Sequence, residues 1–323
     1  MRNTLAVFLI CAGIGARVAA GQGACDRACL TGILDQYLNA MAANDAKKAP
    51  FAANIKYTEN AAKLPLNEGL WFTAAGSTNY KIVLADPQGS AAAFVGVVTE
   101  HMPPGKDPRN TILALRIKVA NRQITEAEAV VVRNVNANNM ANLQTPRPAL
   151  LETLTAAQRR PRADLIRISN LYFDAIEQSS GAVAPFDDNC NRLENGMRTA
   201  GPPLPSANQS PTQSKGGGTP GGTTQRCADG MNSGVFQVIT AIKPRRVLVV
   251  DEEKGLTFGV YMFQHKGLTQ ITMKDGTKRD APYFVGQPVT MPMAEVFKIV
   301  NGNIREVEAI GVQIPYGLGP GWE

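Results

Sequence analysis

Residues Leu165–Asn195 read LIRISNLYFDAIEQSSGAVAPFDDNCNRLEN, and the chain has already said much of this once. Moved back by 135 positions, Leu165, Ile168, Tyr172, Ala175, Pro185, Phe186, Glu194 and Asn195 fall on Leu30, Ile33, Tyr37, Ala40, Pro50, Phe51, Glu59 and Asn60. Phe173 over Leu38 and Ile176 over Met41 are apolar exchanges. So many matches at one offset mark a tandem of two related units. Each is too long for a solenoid repeat and long enough for a core of its own.

The repeat returns late in each copy. Ile124-Thr125-Glu126-Ala127-Glu128-Ala129 matches Ile304-Arg305-Glu306-Val307-Glu308-Ala309, now 180 positions apart because the second copy has gained an insertion. Apolar residues at Leu30, Ile33, Leu34, Tyr37, Leu38 and Met41 have the spacing of one buried helix face, so a helix is expected over 25–43 and its counterpart over 163–178. A short strand follows near Ile55–Asn60, then β-type runs at Tyr80–Ala85, Ala91–Glu100, Thr111–Val119 and Gln123–Arg133. The second copy repeats the pattern: a strand at Cys190–Asn195, then runs at Arg246–Val250, Leu256–Gln264, Met293–Val300 and Asn303–Gln313. Hairpin chemistry separates them at Asp86-Pro87-Gln88-Gly89, Ala120-Asn121-Arg122, Asp251–Gly255 and Asn301-Gly302. The fold class is therefore α+β, two tandem domains, each with helices packed on a curved antiparallel sheet.

Residues 1–20, with Arg2, the apolar run Leu5–Ile14 and the small residues Val18-Ala19-Ala20, have the pattern of a secretory signal, and Arg17 interrupts the run too early for a membrane anchor. The expected domains are 21–145 and 163–323, with a linker at 146–162. An insertion at 201–226, rich in Gly, Pro, Ser, Thr and Gln, is expected to stay disordered and to serve as a lid. No later segment is apolar enough to span a membrane, and the chain is expected to be secreted or periplasmic.

Losing Arg2 and Arg17 with the signal takes the net charge from +6 to +4. The clusters Arg159-Arg160-Pro161-Arg162 and Arg245-Arg246 carry no interleaved aromatics, which argues against nucleic acid as a partner; a solvated linker and a strand start account for them. Four cysteines remain after the signal, an even number suited to disulfides in an exported chain. Cys190 with Cys227 brackets the insertion, and Cys25 with Cys29 forms the second pair. The Cys25-x3-Cys29 spacing also fits half a zinc site, but no second ligand pair follows, so no metal is expected.

The order of elements resembles the cone-shaped fold of nuclear transport factor two, SnoaL-like polyketide cyclases, scytalone dehydratase and ketosteroid isomerase. More closely, Cys25-Asp26-Arg27-x-Cys29, Tyr57-Thr58-Glu59-Asn60, Cys190-Asn191-Arg192-Leu193-Glu194-Asn195-Gly196, Arg245-Arg246-x-x-Val249-Val250-Asp251-Glu252 and Phe297-Lys298-Ile299 with Gly302-Asn303-Ile304-Arg305 are similar to secreted tandem proteins of bacteria and fungi grouped as a domain of unknown function. That resemblance implies a fold and an export route and carries no activity.

In such a cone, polar residues on an apolar inward face are the candidates for chemistry. Strict alternation puts Ile124, Glu126, Glu128, Val130 and Val132 on one face, and Ile304, Glu306, Glu308, Ile310 and Val312 on its counterpart. Glu128 and Glu308 are thus candidate acid/base groups, the other possibility being glutamates that face solvent or pair with lysines. His101 and His265, the only histidines, follow Phe94 and Phe258 in corresponding runs and are candidate proton partners. Tyr37 and Tyr172 lie mid-helix on the apolar face, where a phenol either packs or reaches a ligand. Glu59-Asn60 and Glu194-Asn195 end short strands, where they either line a pocket or cap a turn. No nucleophile elbow, Walker loop or dinucleotide fingerprint is present, so no cofactor is expected. The expected ligand is a small apolar or aromatic molecule, met by cofactor-free isomerisation, dehydration or cyclisation or by binding alone. In the alternative, the two sheets pair as an intramolecular pseudo-dimer with scaffold function. If one copy works, the second is expected to, through Glu308, His265, Tyr172 and Glu194.

Overall fold

The computed structural model describes residues 25–201, 226–273 and 275–322; the expected signal and nearly all of the expected insertion lie outside them. The first half opens with helix α1 (Arg27–Ala42), capped by Asp26, whose carboxylate accepts from Cys29 N at 2.9 Å. Strands β1 (Phe51–Glu59) and β2 (Ala62–Lys63) follow, then the helical turn α2 (Leu70–Thr73). The meander β3 (Ala74–Asp86), β4 (Ala91–Glu100), β5 (Arg109–Ala120) and β6 (Gln123–Val132) completes the half. Short helices α3 (Ala137–Ala141) and α4 (Pro148–Leu151) lead into α5 (Arg162–Glu177).

The second half continues with β7 (Phe186–Glu194), β8 (Met197–Ala200), α6 (Cys227–Asn232), β9 (Ala241–Asp251) and β10 (Leu256–His265). A small hairpin of β11 (Gln270–Thr272) and β12 (Lys278–Asp280) precedes β13 (Val289–Val300), β14 (Asn303–Gly311) and β15 (Ile314–Pro315). The main sheets have the same strand order, β2-β1-β6-β5-β4-β3 and β8-β7-β14-β13-β10-β9. Each sheet is mixed rather than wholly antiparallel, because β1 runs parallel to β6 and β7 parallel to β14. Strands exceed the apolar runs that announced them: β3 begins at Ala74 and β9 at Ala241, since backbone pairing continues through polar residues at a sheet end.

One face of each sheet holds the half's own helix. Leu30, Leu34, Tyr37 and Met41 of α1 pack on Phe94, Leu113, Leu115 and Ile117, and Leu165, Tyr172, Phe173 and Ile176 of α5 pack on Tyr261, Phe263, Phe297 and Ile299. The opposite faces meet each other. Ile82, Leu84, Val95, Ile112 and Val130 share a core with Val249, Phe258, Val260, Val296 and Ile310.

Residues 146–162 are more than a solvated tether. Arg147, Leu150 and Leu154 are buried, and Lys298 Nζ reaches from β13 to the carbonyls of Glu152 and Lys254 at 2.7 Å each. Arg162, from the basic run, pairs with Asp86 of the first half, while Arg245 pairs with Asp174 and Glu177 of α5. Cys25–Cys29 and Cys190–Cys227 are both disulfides. No helix among the described residues is long and apolar enough to cross a membrane.

Candidate functional site

Strict alternation along β6 and β14 misplaces the paired glutamates. The β5–β6 register shifts between Lys118 and Val119, so Thr125 has no partner of its own; Arg305 is the corresponding extra residue opposite β13. After each bulge the faces exchange. Ile124, Ala127 and Ala129 face α1, whereas Val130 and Val132 face the other sheet, and Glu128 lies on their side. Glu128 receives Arg246 of β9, and Arg147 donates to Glu306 and Glu308. Burial pushes the Glu308 carboxyl up against the opposing pull of Arg147. Glu128 and Glu308 are therefore ion-paired glutamates between the sheets, outside both cones. They neither face solvent nor pair with lysine.

The remaining candidates separate by half. His101 is exposed just beyond β4, its backbone N–H bound to Thr73 O, whereas His265 is the last residue of β10 and only 4% exposed. Strand register aligns His265 with Glu100, since Ala91 and Leu256 open their strands at equivalent positions. Phe94 and Phe258 are accordingly not equivalent: the first faces its cone and the second the sheet interface. Asn60 and Asn195 adopt positive φ at strand ends, and each amide pairs with the backbone of one residue, Val131 and Gly311 respectively. These two asparagines close the parallel strand pairs and are committed to the backbone.

The first cone is filled. Trp71 of α2 is buried against Tyr37 and Phe51, ring centroids 5.0 and 5.6 Å away, and its Nε1 donates to the Tyr37 hydroxyl at 2.9 Å. Glu59 accepts from Leu70 N, Tyr57 Oη and Arg133, and at Gly69 an added Cβ would stand 2.3 Å from Glu59 Oε2. Glu100 accepts from Thr73, Thr111, Arg109 and Arg133. Burial works against its charge, but these hydrogen bonds hold its carboxyl down to about 2.

The second cone contains a cavity of about 120 Å³. Phe236, Phe263 and Phe284 line it with Met197, Met231, Met291 and Met293, and its polar side chains are Arg192, Glu194, Thr199, His265 and Tyr283. The Cys190–Cys227 disulfide ties β7 to α6, which supplies Cys227, Gly230 and Met231 to the wall. Arg192 occupies the place that Tyr57 holds in the first half. Its Nε donates to the Tyr172 hydroxyl at 2.6 Å, Nη1 to Thr199 at 2.7 Å and Nη2 to Glu194 at 2.9 Å. Burial depresses His265 to about 4 despite the Glu194 charge and a hydrogen bond to the Phe263 backbone, so its imidazole is neutral. Burial likewise raises the Tyr283 phenol to about 12. Thus His265 and Glu194 meet at one cavity, with Tyr172 behind Arg192.

Sequence reasoning missed Glu295. It lies on β13 two residues beyond Met293, is fully buried, and among the described residues neither carboxyl oxygen has a hydrogen-bond partner. Its cross-strand neighbours are Gly259 and Ala309, and the Tyr261 hydroxyl stands over Gly259, 2.3 Å from where a Cβ would be. Burial pushes the Glu295 carboxyl up to about 8, with Arg192 drawing it down and Glu194 adding to the rise. The equivalent residue of the first half, opposite Phe94 and Ala129, is Leu115. Carrying the repeat through β5 and β13 by register would have exposed this exchange of an aliphatic for an acid.

Residues 158–311 match the model of a family described as a domain of unknown function, DUF8021. No curated protein matches the chain. Among solved structures, the chain is similar to a protein of unknown function with a cystatin-like fold from Methylobium petroleophilum PM1, at 12% identity and TM-score 0.28, over 49% of this chain and 82% of that one. It is also similar to a hypothetical protein with a ketosteroid isomerase-like fold from Catenulispora acidiphila, solved in complex with trimethylamine, at 15% identity and TM-score 0.23, over 35% of this chain and 93% of that one.

Proposed function

We propose that the second cone binds a small, mainly apolar molecule, with the first cone as its structural counterpart, in a protein that works outside the cytoplasm. The observation that carries this is the contrast between equivalent interiors: Trp71 packs inside one, while the other keeps a cavity walled by phenylalanines and methionines with a neutral His265 in its wall. A dry apolar cavity of about 150 Å³ accommodates benzene, so a ligand of four to seven heavy atoms is the right scale. The two disulfides and the signal-like pattern of residues 1–20 support export.

Gly230 provides the test. It lines the cavity, and a Cβ added there meets nothing within 4 Å, so Gly230→Leu extends a side chain into open space without displacing the backbone. Isobutanol should bind the native protein in a calorimetric titration and be lost from Gly230→Leu, with melting temperature little changed. Equal binding to both proteins would place the ligand elsewhere. No binding to either would leave the scaffold function as the better account.

A second function, proton transfer without a cofactor, is favoured by His265 itself. A neutral imidazole in an apolar wall is a base of the kind that can accept a proton from a bound carbon acid. His265→Gln would then abolish turnover of any substrate found while preserving its binding.

A further inference from the structure

We propose that the second cone selects a small protonated amine bearing an apolar substituent, and that Glu295 supplies the negative charge that holds it. The proposal rests on the cavity of the second cone being the ligand site, and it names the ligand class.

The charges around Glu295 do not balance. From β7 come Arg192 and Glu194, from α5 Tyr172 and from β10 Tyr261, while His265 and Tyr283 line the cavity. Arg245 also bears on Tyr261, but its guanidinium is engaged by Asp174 and Glu177. Among the described residues Arg192 is thus the guanidinium that acts on both carboxyls, and its hydrogen bonds go to Tyr172, Thr199 and Glu194, none to Glu295. His265 is neutral and adds no positive charge. With Glu194 neutralised by Arg192, an ionised Glu295 would be a single uncompensated charge in an apolar interior, which proteins avoid by protonating the group. On its own, the Glu295 carboxyl meets the deficit by keeping its proton. A bound ammonium meets it instead.

The walls suit that exchange. Glu295 does not itself line the cavity but lies two residues from Met293, which does, on the same face of β13, so its charge acts on the cavity through a low-dielectric layer that screens little. Phe236, Phe263 and Phe284 offer aromatic surface to an alkylammonium, and four methionine thioethers give polarizable contact. In the first half Leu115 stands where Glu295 does and Trp71 occupies the interior, so acid and cavity occur together. The step balances: the ammonium enters with its charge, the Glu295 carboxyl loses its proton, and the proton leaves to solvent.

The experiment uses the mature protein and three isosteres, isobutylamine, isobutanol and isobutyrate, titrated calorimetrically at about pH 6.5 in buffers of different ionisation heat. Isobutylamine is expected to bind at least about tenfold more tightly than either of the others, with release of close to one proton. Glu295→Gln, an isostere of the protonated acid, and Glu295→Leu, the residue of the first half, should abolish both the preference and the proton release while retaining isobutanol. If isobutanol or isobutyrate binds the native protein as well as the amine, or if the preference survives in both variants, amine selection is wrong and the cavity remains a ligand site. If none of the three binds, both proposals fall together.

Discussion

Asp86 and Asp251 each accept hydrogen bonds from the opposite half across the sheet interface, in a reciprocal pattern. Asp86, at the end of β3, accepts from Val250 N at 2.9 Å and from Arg162, both in the second half. Asp251, at the end of β9, accepts from Ala85 N at 3.1 Å and from Arg27, both in the first. Each also closes its own hairpin, Asp86 accepting from Gly89 N and Asp251 from Lys254 N. The sheets are thus pinned by two buried carboxylates, each of which also holds a turn. Removing either acid strands a buried amide and weakens an arginine pair. Asp86→Ala and Asp251→Ala should each cost about 3 kcal/mol in denaturant unfolding. Losses near zero would mean that the apolar core between the sheets carries the association unaided.

Acid and base should act in opposite directions on stability through the second cone. Glu295 is raised to about 8 from an ordinary value of 4.5, so the folded state holds an extra proton between those values and stability falls as pH rises through them. His265 is lowered from 6.5 to about 4, so the unfolded state binds the extra proton there, and stability present above 6.5 is lost as pH falls towards 4. Melting curves of Glu295→Gln should therefore gain on the native protein as pH rises towards 8, and those of His265→Gln should flatten on the acid side. Parallel native and variant curves would contradict both environments.

The Cys190–Cys227 bond spans 37 positions, for which loop entropy gives about 4 kcal/mol, while the four-position Cys25–Cys29 bond gives about 2. Replacing Cys190 and Cys227 with serine should lower the melting temperature more than replacing the other pair, and should weaken isobutanol binding because α6 forms part of the cavity wall. Equal losses, with binding unaffected, would detach the disulfide from the site.

Trp71→Ala should empty the first cone at a cost of about 3 to 5 kcal/mol. If that cone is the filled counterpart of the binding half, a small apolar molecule should recover part of the loss. No recovery across a series of such molecules would indicate collapse of Tyr37 and Phe51 into the space.

The repeat, the helix faces and the succession of strands along the chain were legible in the sequence because they rest on apolar spacing and on turn residues at matching places, whereas the parallel pairing of β1 with β6 and of β7 with β14 was not. The same offset of 135 carries Arg27 onto Arg162, but their partners lie in opposite halves, and no local pattern announces a contact across two sheets. Glu128 and Glu308 misled for a specific reason: one bulged residue at Thr125 and at Arg305 reverses the faces, and alternation has no means of detecting an extra residue. Glu295 was hidden by its context, a lone acid in the run Val289–Val300 whose other cone-facing members are ordinary core residues. His265 stood out because the chain has only two histidines, and Glu194 because the repeat sets it over Glu59; the structure places both at the wall of one cavity.

Methionine methyl groups give the most direct test of the central claim, that the ligand site lies in the second cone. Met197, Met231, Met291 and Met293 line the cavity, whereas Met41 packs in the first cone and Met140 between the sheets. In a carbon-13 methyl-methionine NMR titration with isobutylamine, the account predicts saturable shifts of the four cavity methyls while Met41 and Met140 stay in place. Shifts centred on Met41 or Met140, with the four cavity methyls unmoved, would contradict it.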